Sequence, residues 1–228
     1  MPKLHRKSTW LIGTVAVVFS LLVTVVASAA ANDSFTDIDE DTTHYEEINY
    51  LYSEEIIGGF PDDTFRPGNN ITRIDAAVMV YRALGLEPGD IESLTFEDIP
   101  ERDTDETKEA VAALSEADII NGYSDEEFGA TDQISRGQVA KIIVEAYDIP
   151  LDVEDQGFND IELSSILADY INALAAAGIT DGYPSGDFGV NDPIKRGDFS
   201  AFLTRAIDPA LGQDEEEEEE APQVISIE

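Results

Sequence analysis

The apolar positions of this chain alternate between two kinds of segment. Ile48, Leu51, Tyr52 and Ile56 recur at helical spacing, as do Val111, Leu114 and Ile119, and then Ile171, Leu174 and Ile179. Each set predicts a first helix. A glycine-aromatic pair follows, Gly59-Phe60, Gly122-Tyr123 or Gly182-Tyr183, and the glycine is expected to break that helix. A turn-rich loop then carries Phe65, Phe128 or Phe188 and ends at Ile71, Ile134 or Ile194. Thr72 and Ser135 are favourable N-caps for a second helix, with Asp75 and Gln138 in capping-box position; the third copy has Lys195 at the cap. The stripe that this helix buries reads Ala76, Met79, Val80, Ala83, Leu84, then Val139, Ile142, Ile143, Ala146, Tyr147, then Phe199, Phe202, Leu203, Ala206, Ile207.

These segments are three copies of one unit, spanning 35–84, 96–147 and 158–207. The same 25 residues separate Ile48 from Arg73, Val111 from Arg136 and Ile171 from Arg196, so length variation is confined to the loop before the first helix and to the connectors. One such pair of helices cannot bury its own apolar stripe. Three can close around a common axis, and the expected fold is all-α: three helix-loop-helix repeats forming a pseudo-threefold bundle with grooves between neighbouring copies.

Charge narrows the partners. The 228 residues include 49 acids against 13 Lys plus Arg, a formal charge of −36, and no cysteine. Such a surface repels phosphate backbones and anionic headgroups, which argues against nucleic acid as a partner. Without cysteine there is no disulfide framework, no thiolate nucleophile and no Cys-ligated metal. Lys3, Arg6 and Lys7 precede an uncharged run from Ser8 to Ala31, and Ala27-Ser28-Ala29 or Ala29-Ala30-Ala31 supplies a cleavage pattern. Residues 1–31 therefore read as a signal peptide, with an uncleaved anchor as the alternative because the run is long enough to span a bilayer. Either way the remainder is expected outside the cytoplasm, with no membrane contact after cleavage. Cleavage takes those three cations and leaves −39. At about 1 M salt the Debye length is about 3 Å, so self-repulsion is screened and the composition suits a saline, halophilic exterior.

Arginine is scarce, yet Arg73, Arg136 and Arg196 occupy one slot, the first position of the second helix. A cation there opposes the helix macrodipole and costs up to about 1 kcal/mol unless an anion is near. Free N-terminal amides and a guanidinium fork could together hold a carboxylate. The alternative is pairing with a protein acid, such as Asp62, Asp125 or the Asp37, Asp98 and Asp160 set that follows each repeat-opening Phe. Arg205 lies outside the slot and serves as an unrelated comparison.

The string IIGGFPDDTFRPGNNITRIDAA, preceded by FTDID and a Tyr-rich helix, resembles the S-layer homology domain, whose pattern joins a glycine-aromatic turn, an aromatic-containing loop and a TRAE-like helix start. The likeness recurs in order three times over about 35–207. It implies a secreted protein at the cell wall or S-layer, attached non-covalently by binding a secondary cell wall polysaccharide, often one bearing pyruvate ketals. Other envelope or S-layer proteins are implied as further partners. The resemblance carries a ligand groove to Arg73, Arg136 and Arg196. Asp37, Asp98 and Asp160, the glycines Gly59, Gly122 and Gly182, and the aromatics Phe60, Tyr123 and Tyr183 would complete it, the last three by stacking on sugar. The Trp usual near the first helix is absent, the one Trp being Trp10, and Tyr45 stands in for it in copy one. Copy two reads SDEEFGA where copy one has PDDTFRP. The groove of Arg73 is expected to be the best and one groove to be degenerate.

An enzyme is disfavoured. His44 is the sole histidine beyond the leader, no nucleophile elbow accompanies it, and no copy carries a distinct acid pair. Asp37 to Asp41 imitates the start of a calcium loop, but the sixth position is Thr42 and the twelfth Ile48, so no metal or cofactor is expected. Residues 208–228 read as an acidic disordered tail. The functional expectation is wall anchoring through polysaccharide; the alternative is an envelope scaffold acting through protein contacts without glycan.

Overall fold

The computed structural model describes residues 35–100, 104–162 and 164–212. The segment read as a signal peptide lies outside them, as does the acidic run beyond residue 212. Among the described residues six α-helices follow in order: α1 Tyr45–Ser53, α2 Arg73–Leu84, α3 Asp105–Glu116, α4 Arg136–Ala146, α5 Ala168–Ala176 and α6 Arg196–Ile207. Short 3-10 turns occupy Ile91–Ser93 and Pro209–Gly212, so the start of the stretch read as a disordered tail is ordered. The fold is all-α, three helix-loop-helix copies in a closed ring, and among the described residues extended pairing is limited to isolated bridges. No helix of the described residues is long and apolar enough to cross a membrane.

Capping chemistry starts the second helices where the pattern placed them. Thr72 and Ser135 each accept the N–H three residues on, and Asp75 and Gln138 reach back to complete capping boxes. Lys195 makes no such side-chain bond. The first helices end earlier than expected. They stop at Ser53, Glu116 and Ala176, and the reversal falls at Glu55 (φ 59), Asp118 (φ 58) and Gly178 (φ 73), not at Gly59, Gly122 and Gly182. Ile56, Ile119 and Ile179 lie just beyond, donating their N–H to Leu51, Leu114 and Leu174 in a Schellman arrangement that keeps them apolar partners of the helix they have left. Tyr52 does not join the buried stripe: it is 41% exposed and meets Phe35 edge-on.

The packing pairs cross the sequence repeat. Each second helix lies against the first helix of the following copy, α2 on α3, α4 on α5 and α6 on α1, so copy three closes onto copy one. The three second helices also meet one another around the axis. Ile71, Ile134 and Ile194 converge there, buried, and their backbones form a cyclic set: Ile71 N–H donates to Ile194 O (3.2 Å), Ile194 to Ile134 (3.0 Å) and Ile134 to Ile71 (3.2 Å). With 2% or less of each isoleucine's surface left exposed at the axis and all three of their amides paired, the closed trimer of repeats is the folding unit.

Candidate functional site

Each joint between copies is built by the same parts. The arginine that begins a second helix reaches into the next copy's loop. Arg73 Nε donates to Phe128 O (2.9 Å) and Nη2 to Asn121 O (2.5 Å); Arg136 Nε donates to Phe188 O (2.9 Å); Arg196 Nη2 donates to Gly58 O (2.8 Å). Aromatic faces complete each cradle, with Arg73 5.0 Å from the Tyr123 centroid, Arg136 4.6 Å from Tyr183, and Arg196 4.6 Å from Phe65 and 5.6 Å from Phe60. Arg196 Nε is buried without a partner, so the latch between copies three and one is a bond short. Burial pushes the Arg73 guanidinium below its ordinary range, with Tyr123, Asp132 and Asp98 opposing; burial does the same to Arg196, with Asp75 opposing.

These contacts correct two expectations. The amides at the start of the second helices are not free. Arg73 and Ile74 N–H donate to Asp132 and Ala130 carbonyls, Arg136 and Gly137 to Asp192 and Val190, and Arg196 and Gly197 to Asn69 and Pro67. A carboxylate therefore cannot be held by those amides. Nor, among the described residues, does Asp37, Asp98, Asp160 or Asp62 form an ion pair with these arginines, although Asp98 acts on Arg73 at longer range and Asp198 lies 4.0 Å from Arg136. Asp37 accepts the Phe65 and Arg66 amides (2.6 and 2.7 Å), Asp98 those of Phe128, Gly129 and Ala130 (2.7, 2.7 and 3.0 Å), and Asp160 those of Phe188, Gly189 and Val190 (2.6, 2.8 and 3.0 Å). Each aspartate pins its own copy's loop. Asp62 pairs instead with Arg66 (3.0 Å).

The glycines serve packing. A Cβ on Gly59, Gly122 or Gly182 would enter the ring of Phe35, Phe96 or Phe158, and those rings pack at a tilt against Phe65, Phe128 and Phe188 at 5.3, 5.4 and 5.6 Å between centroids. Tyr45 is the first residue of α1 and packs on the core. Tyr123 and Tyr183 are 47% and 37% exposed, open enough to meet a sugar, whereas Phe60 has the Arg66 guanidinium 3.8 Å over its ring.

One joint opens into a groove of about 200 Å³, lined by Arg73, Asn121, Gly122, Tyr123, Gln138 and Lys141. Copy one thus contributes its arginine, copy two the aromatic loop and the helix behind it, and copy three Leu167. Lys141 had no signal in the sequence pattern beyond being one of few cations, and Gln138 stood out only as a capping-box residue, although both sit on α4 within a turn of each other. Lys141 makes no ion pair among the described residues; its Nζ lies 5.8 Å from the Tyr170 centroid. A second cavity of about 250 Å³ is lined by Asp160, Glu162, Ser165 and Asn191 with no cation, and offers an anion nothing.

Arg205 is not a neutral comparison. Its Nη2 lies 3.0 Å from Glu47 Oε1 at the α6–α1 joint, where His44 Nδ1 is 3.5 Å from the same oxygen and His44 Nε2 is 3.5 Å from Asp198 Oδ1. His44 is a half-buried bridge between copies one and three.

The family model for the S-layer homology domain matches residues 34–77, 95–140 and 157–200. An endoglucanase of Bacillus sp. (strain KSM-635) is 31% identical over 78% of this chain and 20% of its own length. A surface-layer 125 kDa protein of Lysinibacillus sphaericus is 30% identical over 86% of this chain and 16% of its own length. A cellulosome-anchoring protein of Acetivibrio thermocellus is 29% identical over 66% and 35%. The chain thus spans between about a sixth and a third of the length of these relatives.

Proposed function

We propose, for a chain that belongs to the S-layer homology domain family, that it attaches non-covalently to the cell envelope by binding an anionic secondary cell wall polysaccharide in the grooves between its repeats. The observation that carries the reading is the Arg73 groove. In a protein of charge −36, it gathers Arg73, Lys141 and the half-exposed Tyr123 around one opening. Two cations beside an aromatic face suit a sugar bearing a carboxylate, such as a pyruvate ketal: the cations meet the acid and the ring meets the apolar face of the sugar. Arg73 Nη1 has no hydrogen-bond partner among the described residues and is the guanidinium atom left for a ligand. Further support comes from relatives named as a cellulosome-anchoring protein and a surface-layer protein. The repeats act as a non-catalytic anchoring module, and the endoglucanase relative is matched over only a fifth of its length.

Titration of the exported protein with acid-released wall polysaccharide tests this. Saturable binding is expected, and Lys141→Ala, which removes a groove cation and none of the bonds that Arg73 makes, should weaken it by about fivefold or more, the worth of roughly 1 kcal/mol. Arg82→Gln, which removes a cation at the opposite end of α2 where it pairs with Glu106 and lines no part of the groove, should bind as wild type. No binding to polysaccharide, with capture of envelope proteins instead, would favour the scaffold reading.

A further inference from the structure

We infer that the three grooves are not equivalent, and that the residue at the third position of each second helix decides which of them accepts an anion. Gln138 leaves the Arg73 groove open to a carboxylate-bearing sugar, whereas Asp198 and Asp75 supply the carboxylate of the other two from within. The inference rests on the proposed function and assigns its binding to one joint.

The second groove shows the self-occupied state most clearly. Asp198 stands between two cationic partners, with Oδ2 4.0 Å from Arg136 Nη1 and Oδ1 3.5 Å from His44 Nε2. The Arg136 side chain is 5% exposed, so this internal acid sits where an incoming carboxylate would have to approach. A ligand acid entering there displaces one carboxylate by another and meets its charge while doing so. In the first groove the equivalent residue is an amide. Gln138 Oε1 accepts from Ser135 N–H (3.0 Å), tying its acceptor to the helix cap, and its Nε2 donates to Tyr123 Oη (3.2 Å), leaving the donor end on the groove side. Lys141, one turn further along α4, adds a cation where copies one and three place Val78 and Ala201. Asp98 and Asp132 also act on Arg73, but Asp160 and Asp192 hold the same positions in the Arg136 joint and do not distinguish the two.

The third groove is closed at its aromatic face, and Asp75, which holds the helix position of Gln138 and Asp198, is the acid whose charge acts on the buried Arg196. Arg66 covers the Phe60 ring at 3.8 Å while paired to Asp62 at 3.0 Å, so the aromatic face is already taken. The exchange of Asp for Gln at one helix position thus turns a repeated interlock into one receptor and two closed joints.

The test is calorimetric titration of the exported protein with the 4,6-pyruvyl ketal of methyl glucopyranoside, its methyl ester, and acid-released wall polysaccharide, all at one salt concentration. Wild type should bind the ketal at one site per chain and ignore the ester. Gln138→Asp should lower ketal affinity by about tenfold or more. Its fold is expected to survive, because Asp75 completes the same capping box in copy one. Asp198→Gln should add a second site. Gln156→Glu, which adds the same charge away from the grooves, should change neither number. Three equal sites in wild type, equal binding of the ester, or affinity unmoved by Gln138→Asp would each overturn the inference. If the polysaccharide binds wild type and Gln138→Asp equally, anchoring stands and only the assignment to this joint falls; if it binds neither, both fall.

Discussion

Replacing His44 with Gln isolates the joint at which copy three closes onto copy one. Hydrogen bonding to Asp198, and then to Glu47, raises the imidazole from 6.5 to about 9 against the opposing effect of burial. Because the folded value lies above the unfolded one, protonated His44 contributes its full stability below about pH 6.5 and loses it as pH rises through about 9. A rise of that size corresponds to about 3 kcal/mol at 1.36 kcal/mol per pH unit. The His44 and Asp198 side chains are 21% and 33% exposed and both contacts are 3.5 Å, so solvent screening reduces this to about 1 to 2 kcal/mol. For a domain of this size that is a melting shift of about 3 to 6 °C. Thermal unfolding of wild type and His44→Gln, at about pH 6 and about pH 10 in high salt, reads it out. The variant should melt lower at the acidic pH and converge with wild type at the alkaline one. A gap of equal size at both pH values would refute the bridge.

Gly122→Ala places a Cβ against the Phe96 ring and the Ser124 and Glu127 carbonyls and should cost about 1 to 3 kcal/mol in urea unfolding; a loss under about 0.5 would contradict the packing role. Asp98→Asn keeps the shape but removes the charge to which three amides donate, with an expected loss of about 1 to 2 kcal/mol near neutral pH. Burial presses the Asp98 carboxyl upward, but the amides of Phe128, Ala130 and Gly129 outweigh it and hold the group below 3.8. Its contribution is therefore present above 3.8 and lost as pH falls through the depressed value, so the two proteins should converge in acid. Divergence that persists there would contradict the assignment. The −36 charge predicts a melting temperature that rises between about 0.1 and 1 M NaCl; a midpoint that stays put would count against self-repulsion.

The ring was legible in the chain because its parts are local. Thr72 and Ser135 announce helix starts, the stripe from Ala76 to Leu84 and its copies announces a buried face, and the repeat announces closure. Helix ends were less legible, since Glu55 and Asp118 adopt a left-handed conformation that only the third copy marks with glycine, at Gly178. The pairing of each second helix with the following copy leaves no trace in spacing, because the same stripe would serve either neighbour. At the site, the slot of Arg73, Arg136 and Arg196 stood out as a cation at the wrong end of a helix, but its partners are backbone carbonyls, which have no side-chain signature. Gln138 and Lys141 look like ordinary polar positions until the fold turns them toward the arginine of another copy.

Co-sedimentation of the exported protein with cell-wall sacculi, intact or acid-stripped of their secondary polymer, tests the anchoring claim most directly. High salt screens the general repulsion of so acidic a chain. The protein should pellet with intact sacculi and stay in solution with stripped ones. Equal sedimentation with both, or with neither, would contradict it.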